Sequence, residues 1–169
     1  MTATVLPAGD VAADIVVNIA DFAVAEGDVT LSTSGLGSCV ALVLHDATTG
    51  VTGLAHFLLP EATPASTFTR PAKFAATGAP LLAAEMRLHG ATGPLAAKLV
   101  GGARMFGALL SGGVNMGQRN VEAVRTALQR LGIPVVAEEV GGEFGRSLRV
   151  VAGSGRVLVR SLAGRDREL

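Results

Sequence analysis

The stretch that decides the fold is CVALVLHDATTGVTGLAHFLLP, residues 39–60. Two apolar runs, residues 40–44 and 51–59, flank a turn-prone segment at 46–50, and Pro60 ends the second run. Each run has the length of a strand, and the short polar turn between them is typical of an antiparallel hairpin. We therefore predict two adjacent strands here.

The hairpin brings the only cysteine of the chain close to a histidine. If the turn pairs Asp46 with the third or fourth residue after it, opposed residue numbers sum to 95 or 96. Cys39 then faces His56 or its neighbour Phe57. Directly opposed side chains have Cβ atoms about 4.5–5.5 Å apart. The thiol and an imidazole are therefore expected to meet.

A thiol beside an imidazole suits nucleophilic catalysis, because the imidazole can take the thiol proton and later return it to a leaving group. The backbone N–H groups of Ser38 and Cys39, in the loop before the first strand, could hold an oxyanion. A cysteine beside an apolar strand also suits packing, and a register slip of one residue would turn His56 to the other face. Spacing alone leaves both interpretations open.

The chain offers no metal site. His45 is six residues from Cys39 on the same strand and so about 20 Å away, and no second cysteine exists to complete a zinc site. His89 is expected near a helix end, where a histidine is favourable.

The rest of the chain alternates short strands with two helices. Residues 11–32 predict one or two strands with a turn at 26–28, and residues 33–39 read as a flexible, hydroxyl-rich approach to the hairpin. A helix is expected over 74–89, broken or restarted at Pro80, and a second over 118–131, ended by Gly132. Further strands are predicted at 95–100, 135–140, 148–151 and 156–159. The charged tail from Ala163 and the stretch before about residue 12 are expected to be frayed.

Length and composition bound the class of protein. The 169 residues argue for one domain, with its core at about 12–162, and 49% apolar against 17% charged residues excludes disorder. No apolar run nears the roughly 18 residues of a membrane span. A lone cysteine and the lack of a secretory signal predict a reducing cytoplasm.

The zero net charge hides two opposite halves. Residues 1–69 contain seven acids and no Arg or Lys, whereas fourteen bases and seven acids follow from Arg70 onward, so the halves carry −7 and +7. The arginines are dispersed and aromatic residues are scarce, which argues against nucleic acid. A solvated face or a patch that docks a protein partner is the favoured interpretation.

Six motifs follow one another along the chain: TSGLGSCV (33–40), GLAHFLLP (53–60), AKLVGGA (97–103), MGQRNV (116–121), LGIP (131–134) and VGGEFGR (140–146). In this order they resemble the CheD family, the chemoreceptor glutamine deamidases of bacterial chemotaxis. The resemblance spans roughly residues 29–159.

The resemblance implies a cysteine hydrolase that converts receptor glutamine to glutamate and can also hydrolyse glutamyl methyl esters. By matching positions, Cys39 is the nucleophile, His56 the general base and acid, and Thr33 the residue that orients the imidazole. Spacing could not have selected Thr33. The implied fold is an α+β sandwich with mixed, largely antiparallel sheets, similar to the toxins that deamidate glutamine.

The implied partners are the cytoplasmic helices of methyl-accepting chemoreceptors, without cofactor, metal, nucleic acid or membrane insertion. In this family the protein can also bind a CheC-type phosphatase, so a mainly regulatory binding role is the alternative function. A cysteine peptidase or transamidating enzyme would keep the Cys39–His56 pair and change the acceptor.

Overall fold

The computed structural model describes residues 13–66, 70–105 and 113–169. In chain order the strands in these ranges are β1 (Asp14–Val16), β2 (Phe22–Ala25), β3 (Thr30–Leu36), β4 (Val40–Asp46), β5 (Thr52–Phe57), β6 (Leu95–Gly101), β7 (Val135–Val140), β8 (Arg146–Val151), β9 (Arg156–Ser161) and β10 (Asp166–Glu168). The helices are α1 (Ala75–Leu88), which follows a short 3-10 helix at Pro71–Lys73, and α2 (Met116–Leu131).

Two five-stranded sheets organise these strands. The first, which we call the hairpin sheet, has the order β2-β5-β4-β6-β7, and the second, the outer sheet, has the order β1-β3-β8-β9-β10. The β1–β3 and β6–β7 pairs are parallel, and the other described pairs are antiparallel. The expected α+β sandwich of mixed, largely antiparallel sheets is confirmed, with β4 as the central strand of the hairpin sheet.

The hairpin sheet is covered on both faces, which explains why its strands are almost continuously apolar. Successive side chains of a strand point to opposite faces. On one face Val40 and Leu42 pack in an apolar cluster with residues of α1 and α2. On the other face Ala41 and Val43 belong to a second cluster, shared with the outer sheet, which also contains Cys39. The layers are therefore helices, hairpin sheet and outer sheet, with the cysteine between the two sheets.

Helix α1 runs through Pro80 without the predicted break. Close packing against β5 explains this result. A Cβ at Gly53 would lie 2.8 Å from Leu82, and a Cβ at Gly78 would lie 2.4 Å from the ring of Phe57. Glycines on both sides of the contact thus let the helix approach the sheet, and this burial outweighs the hydrogen bond that proline lacks.

Helix α2 confirms the predicted second helix and begins two residues earlier, at Met116. The Asn115 side chain accepts a hydrogen bond from the Gln118 N–H at 3.1 Å, as an N-cap does. At the other end Gly132 adopts the left-handed conformation, with φ 68°, and ends the helix as predicted.

The tail is ordered where fraying was expected. Residues 166–168 form β10 against β9, and the Leu169 N–H donates to the Val157 carbonyl at 2.9 Å. The Lys98 ammonium also donates to the Leu169 carbonyl at 2.7 Å. The prediction was wrong because β10 is an exposed edge strand, whose charged side chains show no apolar alternation. Residues 1–12, also expected to fray, lie outside the described residues.

Asp46 anchors the turn of the β4–β5 hairpin. Its buried carboxylate accepts hydrogen bonds from the Thr48, Thr92 and Gly93 N–H groups at 2.8–2.9 Å, and from the Thr49 hydroxyl at 2.9 Å. Burial alone would raise the pKa of Asp46, but these hydrogen bonds outweigh it and hold the pKa well below its usual range. The turn is therefore tied to the segment that leads into β6.

Several arginines of the basic second half pair with acids of that same half. The described pairs are Arg125–Glu138, Arg146–Glu139, Arg156–Glu168 and Arg160–Asp166, and a fifth, Arg149–Asp14, joins the two halves. The net charge of +7 already counts the acids of the four pairs within the second half, so among the described pairs only Arg149–Asp14 offsets it with an acid of the first half. Neither described helix is long and apolar enough to cross a membrane.

Candidate active site

The hairpin register differs from both predicted registers. Val40 opposes Phe57 and Ala41 opposes His56, so opposed residue numbers sum to 97. The Asp46 N–H donates to the Val51 carbonyl at 2.9 Å and closes a longer turn than expected. The hydrogen bonds to the Asp46 carboxylate stabilise this longer turn, which apolar patterning could not reveal.

The longer turn nevertheless leaves the thiol and the imidazole on one face. Relative to the register with sum 95, the shift is two residues, and a two-residue shift restores the face of every side chain. Cys39 lies two positions before Ala41, so it is a diagonal neighbour of His56. Such neighbours are about 7–8 Å apart along the sheet, and no hydrogen bond joins Cys39 to His56 Nε2 in this structure. Both groups are buried between the sheets.

The Thr33 side chain, on the outer sheet, points into the space between the two sheets and contacts His56 there. Its hydroxyl oxygen lies 2.7 Å from His56 Nδ1 and 2.7 Å from the Val17 carbonyl oxygen. A carbonyl can only accept, so the Thr33 hydroxyl donates to Val17 and must accept from His56 Nδ1–H. The neutral imidazole therefore carries its proton on Nδ1 and presents a lone pair on Nε2.

Strand β3 explains why the Thr33 side chain points inward. Leu31 and Thr33 alternate toward the core and are buried, and a bulge between Thr33 and Leu36 places Leu36 in the core as well. Gly35 permits this bulge with φ 72°. The prediction of a flexible approach over 33–39 is thus wrong for 33–36, which are strand.

His56 is fully buried, and burial lowers its pKa to about 4. Nε2 has no hydrogen-bond partner among the residues that the structure describes. The backbone is held as well, because the His56 N–H donates to the Asp21 carbonyl at 3.0 Å and the His56 carbonyl accepts from the Ala20 N–H at 2.9 Å. At neutral pH the ring is thus a fixed, neutral base with its lone pair available.

Cys39 is also buried, with 6% of its surface exposed. Burial raises the pKa of the thiol, and a hydrogen bond from its own backbone N–H only partly opposes this effect. At neutral pH the resting pair is therefore a thiol and a neutral imidazole rather than an ion pair. Attack by this sulfur requires proton transfer to a base, which is the arrangement of a cysteine hydrolase.

In the loop 37–39 all three carbonyl groups accept hydrogen bonds, whereas two N–H groups have no partner in another described residue. The Gly37 and Cys39 carbonyls accept from the Ala103 and Gly102 N–H groups, both at 2.8 Å. The Ser38 carbonyl accepts from the side-chain amide of Asn120 at 2.9 Å. Within the described ranges, neither predicted oxyanion donor, the N–H of Ser38 or of Cys39, donates to another residue.

Sequence reasoning assigned no role to Asn120, which is fully buried on α2. A signal was present: Asn120 lies four and eight residues before Val124 and Leu128, on the stripe that the helix buries. A buried amide at such a position must find polar partners.

The other histidines lie elsewhere, as predicted. His45 is at the far end of β4, where Nδ1 lies 2.8 Å from the Thr52 hydroxyl, which donates in turn to the Ala152 carbonyl. His89 follows α1, with Nδ1 2.7 Å from the Glu85 carbonyl oxygen.

Comparisons with known proteins show the family of the chain. A family model described as CheD, chemotactic sensory transduction, matches residues 58–161. A protein of Desulforamulus reducens named "probable chemoreceptor glutamine deamidase CheD" is 47% identical over 152 residues, which cover 89% of this chain and 92% of that relative. A protein of the same name from Pyrococcus abyssi is 43% identical, with 89% and 93% covered. The chain belongs to the CheD family.

Proposed function

We propose that this protein is a chemoreceptor glutamine deamidase that acts through Cys39, His56 and Thr33. The observation that carries the proposal is the Thr33–His56 hydrogen bond of 2.7 Å, which leaves the Nε2 lone pair free in the buried space that Cys39 shares. The names of the relatives supply the substrate class.

The first half of the reaction forms a thioester. The Cys39 sulfur attacks the side-chain amide carbon of a receptor glutamine while the thiol proton moves to His56 Nε2. The electron pair of the C=O bond moves to oxygen, and the Ser38 and Cys39 N–H groups bind the resulting oxyanion. His56 then donates its proton to the amide nitrogen, the C–N bond breaks and ammonia leaves.

The second half regenerates the thiol. His56 takes a proton from water, the hydroxide attacks the thioester carbon, and the C–S bond breaks as the sulfur recovers its proton. The product is glutamate, which adds one negative charge to the receptor helix. A glutamyl methyl ester passes through the same thioester with methanol as leaving group. Because the nucleophile must remain a free thiol, we place the protein in the cytoplasm.

Exposed apolar side chains beside the catalytic loop support a protein substrate. A Cβ at Gly37 would lie 3.1 Å from Met105, and a Cβ at Gly145 would lie 3.2 Å from Leu162. Met105, Leu162 and Phe144 are 39%, 81% and 53% exposed. Apolar side chains that remain exposed around a site favour contact with another protein.

The test uses a receptor cytoplasmic fragment that carries glutamines, with ammonia release and the mass of the modified peptides as readouts. We expect wild-type protein to convert specific glutamines to glutamate and Cys39→Ala to release no ammonia, since the chain has no second thiol. Full activity of Cys39→Ala would refute the proposed nucleophile. Backbone cleavage or amine incorporation would instead indicate a peptidase or transamidase.

We also propose binding to a CheC-type phosphatase as a second role, supported by the same exposed apolar side chains. Cys39→Ala separates the two roles, because it removes the nucleophile and leaves the surface intact. A phosphatase response that Cys39→Ala preserves would establish binding without catalysis, whereas no response to either protein would exclude this role.

A further inference from the structure

One buried side chain, Asn120, connects the two segments that carry the proposed nucleophile and base. Its amide donates to the Ser38 carbonyl at 2.9 Å and to the Leu58 carbonyl at 3.1 Å. Ser38 directly precedes Cys39, and Leu58 lies two residues after His56. We infer that Asn120 is a positioning residue that orients the Ser38–Cys39 peptide so that the Cys39 N–H can bind the oxyanion, an inference that rests on the proposed function.

The orientation of the Asn120 amide follows from its partners. Both partners are backbone carbonyls, which can only accept, so the group that faces them is the NH₂ of Nδ2. The Asn120 oxygen therefore points elsewhere. It is buried and has no partner within the described ranges. An amide retained only for stability would be expected to satisfy both ends, so the unpaired oxygen favours a functional reason for this residue.

The geometry of a trans peptide converts this contact into a constraint on the nucleophile. In such a peptide the C=O of one residue and the N–H of the next point in opposite directions. The Ser38 carbonyl points toward α2, where Asn120 binds it, so the Cys39 N–H points away from the helices. That side faces the outer sheet, where the Cys39 side chain lies.

The neighbouring carbonyls show why Asn120 is needed. Backbone N–H groups of Ala103 and Gly102 hold the Gly37 and Cys39 carbonyls on either side. No backbone donor binds the Ser38 carbonyl in the described part of the chain, and only the Asn120 side chain does so. Without it, the Ser38–Cys39 peptide could rotate, and the N–H would lose its fixed direction.

Two reactions of one sulfur distinguish this role from a structural one. Acylation by p-nitrophenyl acetate passes through an oxyanion, so it needs the N–H donors. Alkylation by iodoacetamide displaces iodide at a saturated carbon without an oxyanion, so it needs only an accessible, activated thiol. Both probes are independent of the receptor.

We expect Asn120→Ala to slow acylation and receptor deamidation by about 10- to 100-fold, chiefly in kcat, because a misdirected oxyanion donor costs less than the roughly 100- to 1000-fold of a donor that is removed. Alkylation of Cys39 should change by less than about twofold, because its rate depends on the thiolate fraction and access. Val124→Ala is the matched control, because Val124 is buried on the same helix and packs in the apolar cluster between the helices and the hairpin sheet. It should lower thermal stability as a core truncation does while leaving both rates unchanged. If Asn120→Ala does not fold, Asn120→Ser is the milder variant.

Equal losses in acylation and alkylation would overturn the inference, since they would indicate a general loss of the site. Unchanged acylation in a folded Asn120 variant would also overturn it, as would a comparable acylation loss in Val124→Ala. Failure of the proposed function has a different signature: the wild-type protein would acylate at Cys39 and yet release no ammonia from the receptor fragment.

Discussion

Replacing Thr33 by valine tests how a residue of the outer sheet controls His56, the proposed general base on the hairpin sheet. The two side chains have nearly the same shape, so Thr33→Val removes only the hydroxyl that accepts from His56 Nδ1–H and donates to the Val17 carbonyl. Both partners remain buried or enclosed, and neither gains another described partner. The substitution thus isolates a hydrogen-bond effect.

The expected magnitude follows from these two contacts. An unpaired buried donor or acceptor costs about 1–3 kcal/mol, so the loss of two partners should lower the free energy of unfolding by about 2–6 kcal/mol. In catalysis the variant loses more, because the His56 ring becomes an imidazolium when Nε2 takes the thiol proton. In Thr33→Val the Nδ1–H of this imidazolium has no acceptor. A hydrogen bond to a charged group contributes about 1.5–3 kcal/mol. At about 1.4 kcal/mol per decade, kcat should fall about 10- to 100-fold.

The assay measures ammonia release at saturating receptor fragment, together with the ¹⁵N chemical shifts of the His56 ring. In the wild type we expect the spectrum of the Nδ1–H tautomer, and in Thr33→Val a mixture of both tautomers. Thr33→Ser keeps the hydroxyl and should retain most of the activity. Thr52→Val is the matched control, because Thr52 also contacts a histidine and donates to a backbone carbonyl, at the far end of the hairpin.

The reasoning fails if Thr33→Val keeps wild-type kcat, or if Thr52→Val loses as much kcat as Thr33→Val does. The second result would show that the loss reflects general destabilisation. An unaltered tautomer in Thr33→Val would remove the assigned role even if activity fell.

Two further predictions concern buried titratable groups. Burial lowers the pKa of His56 to about 4. Between about pH 6.5 and pH 4, the His56 imidazole is therefore protonated in the unfolded chain and neutral in the folded chain. The free energy of unfolding should therefore fall by about 3 kcal/mol as the pH falls from 6.5 to 4. In urea unfolding, the midpoint of His56→Gln should fall less over this pH range than the midpoint of the wild type. Asp46→Asn leaves buried N–H donors without their carboxylate and should lower the free energy of unfolding by about 2–4 kcal/mol with kcat unchanged. Since the pKa of Asp46 is depressed, its contribution to stability is present at neutral pH and lost in acid. The difference in free energy of unfolding between wild type and Asp46→Asn, measured in urea, should therefore shrink as the pH falls. A difference that stays constant would contradict this role.

The hairpin could be predicted from the sequence because its apolar runs have the length of strands and are bounded by a polar turn. Its register could not, because the Asp46 carboxylate at the turn accepts hydrogen bonds from the N–H groups of Thr92 and Gly93, about 46 residues away along the chain. The prediction that Cys39 and His56 share a face is still correct, because the observed register differs by two residues from the predicted register in which they are directly opposed.

Thr33 could not be derived from local patterns for a different reason. It lies on another sheet, and its contact with His56 depends on how the two sheets stack. The family resemblance supplied the residue, and the structure supplies the geometry of its hydrogen bonds. Asn120 was missed for a similar reason, since its partners Ser38 and Leu58 are separated from it by 82 and 62 residues. The second helix was predicted well because its apolar spacing and its Gly132 cap are local signals.

The division of the site between two sheets also determines when the chain can become active. Thr33 is held in β3, and β3 pairs with β8, whose residues 146–151 follow the β4–β5 hairpin well along the chain. A nascent chain that has formed only the β4–β5 hairpin carries the thiol and the imidazole without the hydroxyl that fixes the ring. Under the proposed mechanism, the site is therefore complete only after the outer sheet has assembled, and enzymatic activity would report completed folding of both sheets.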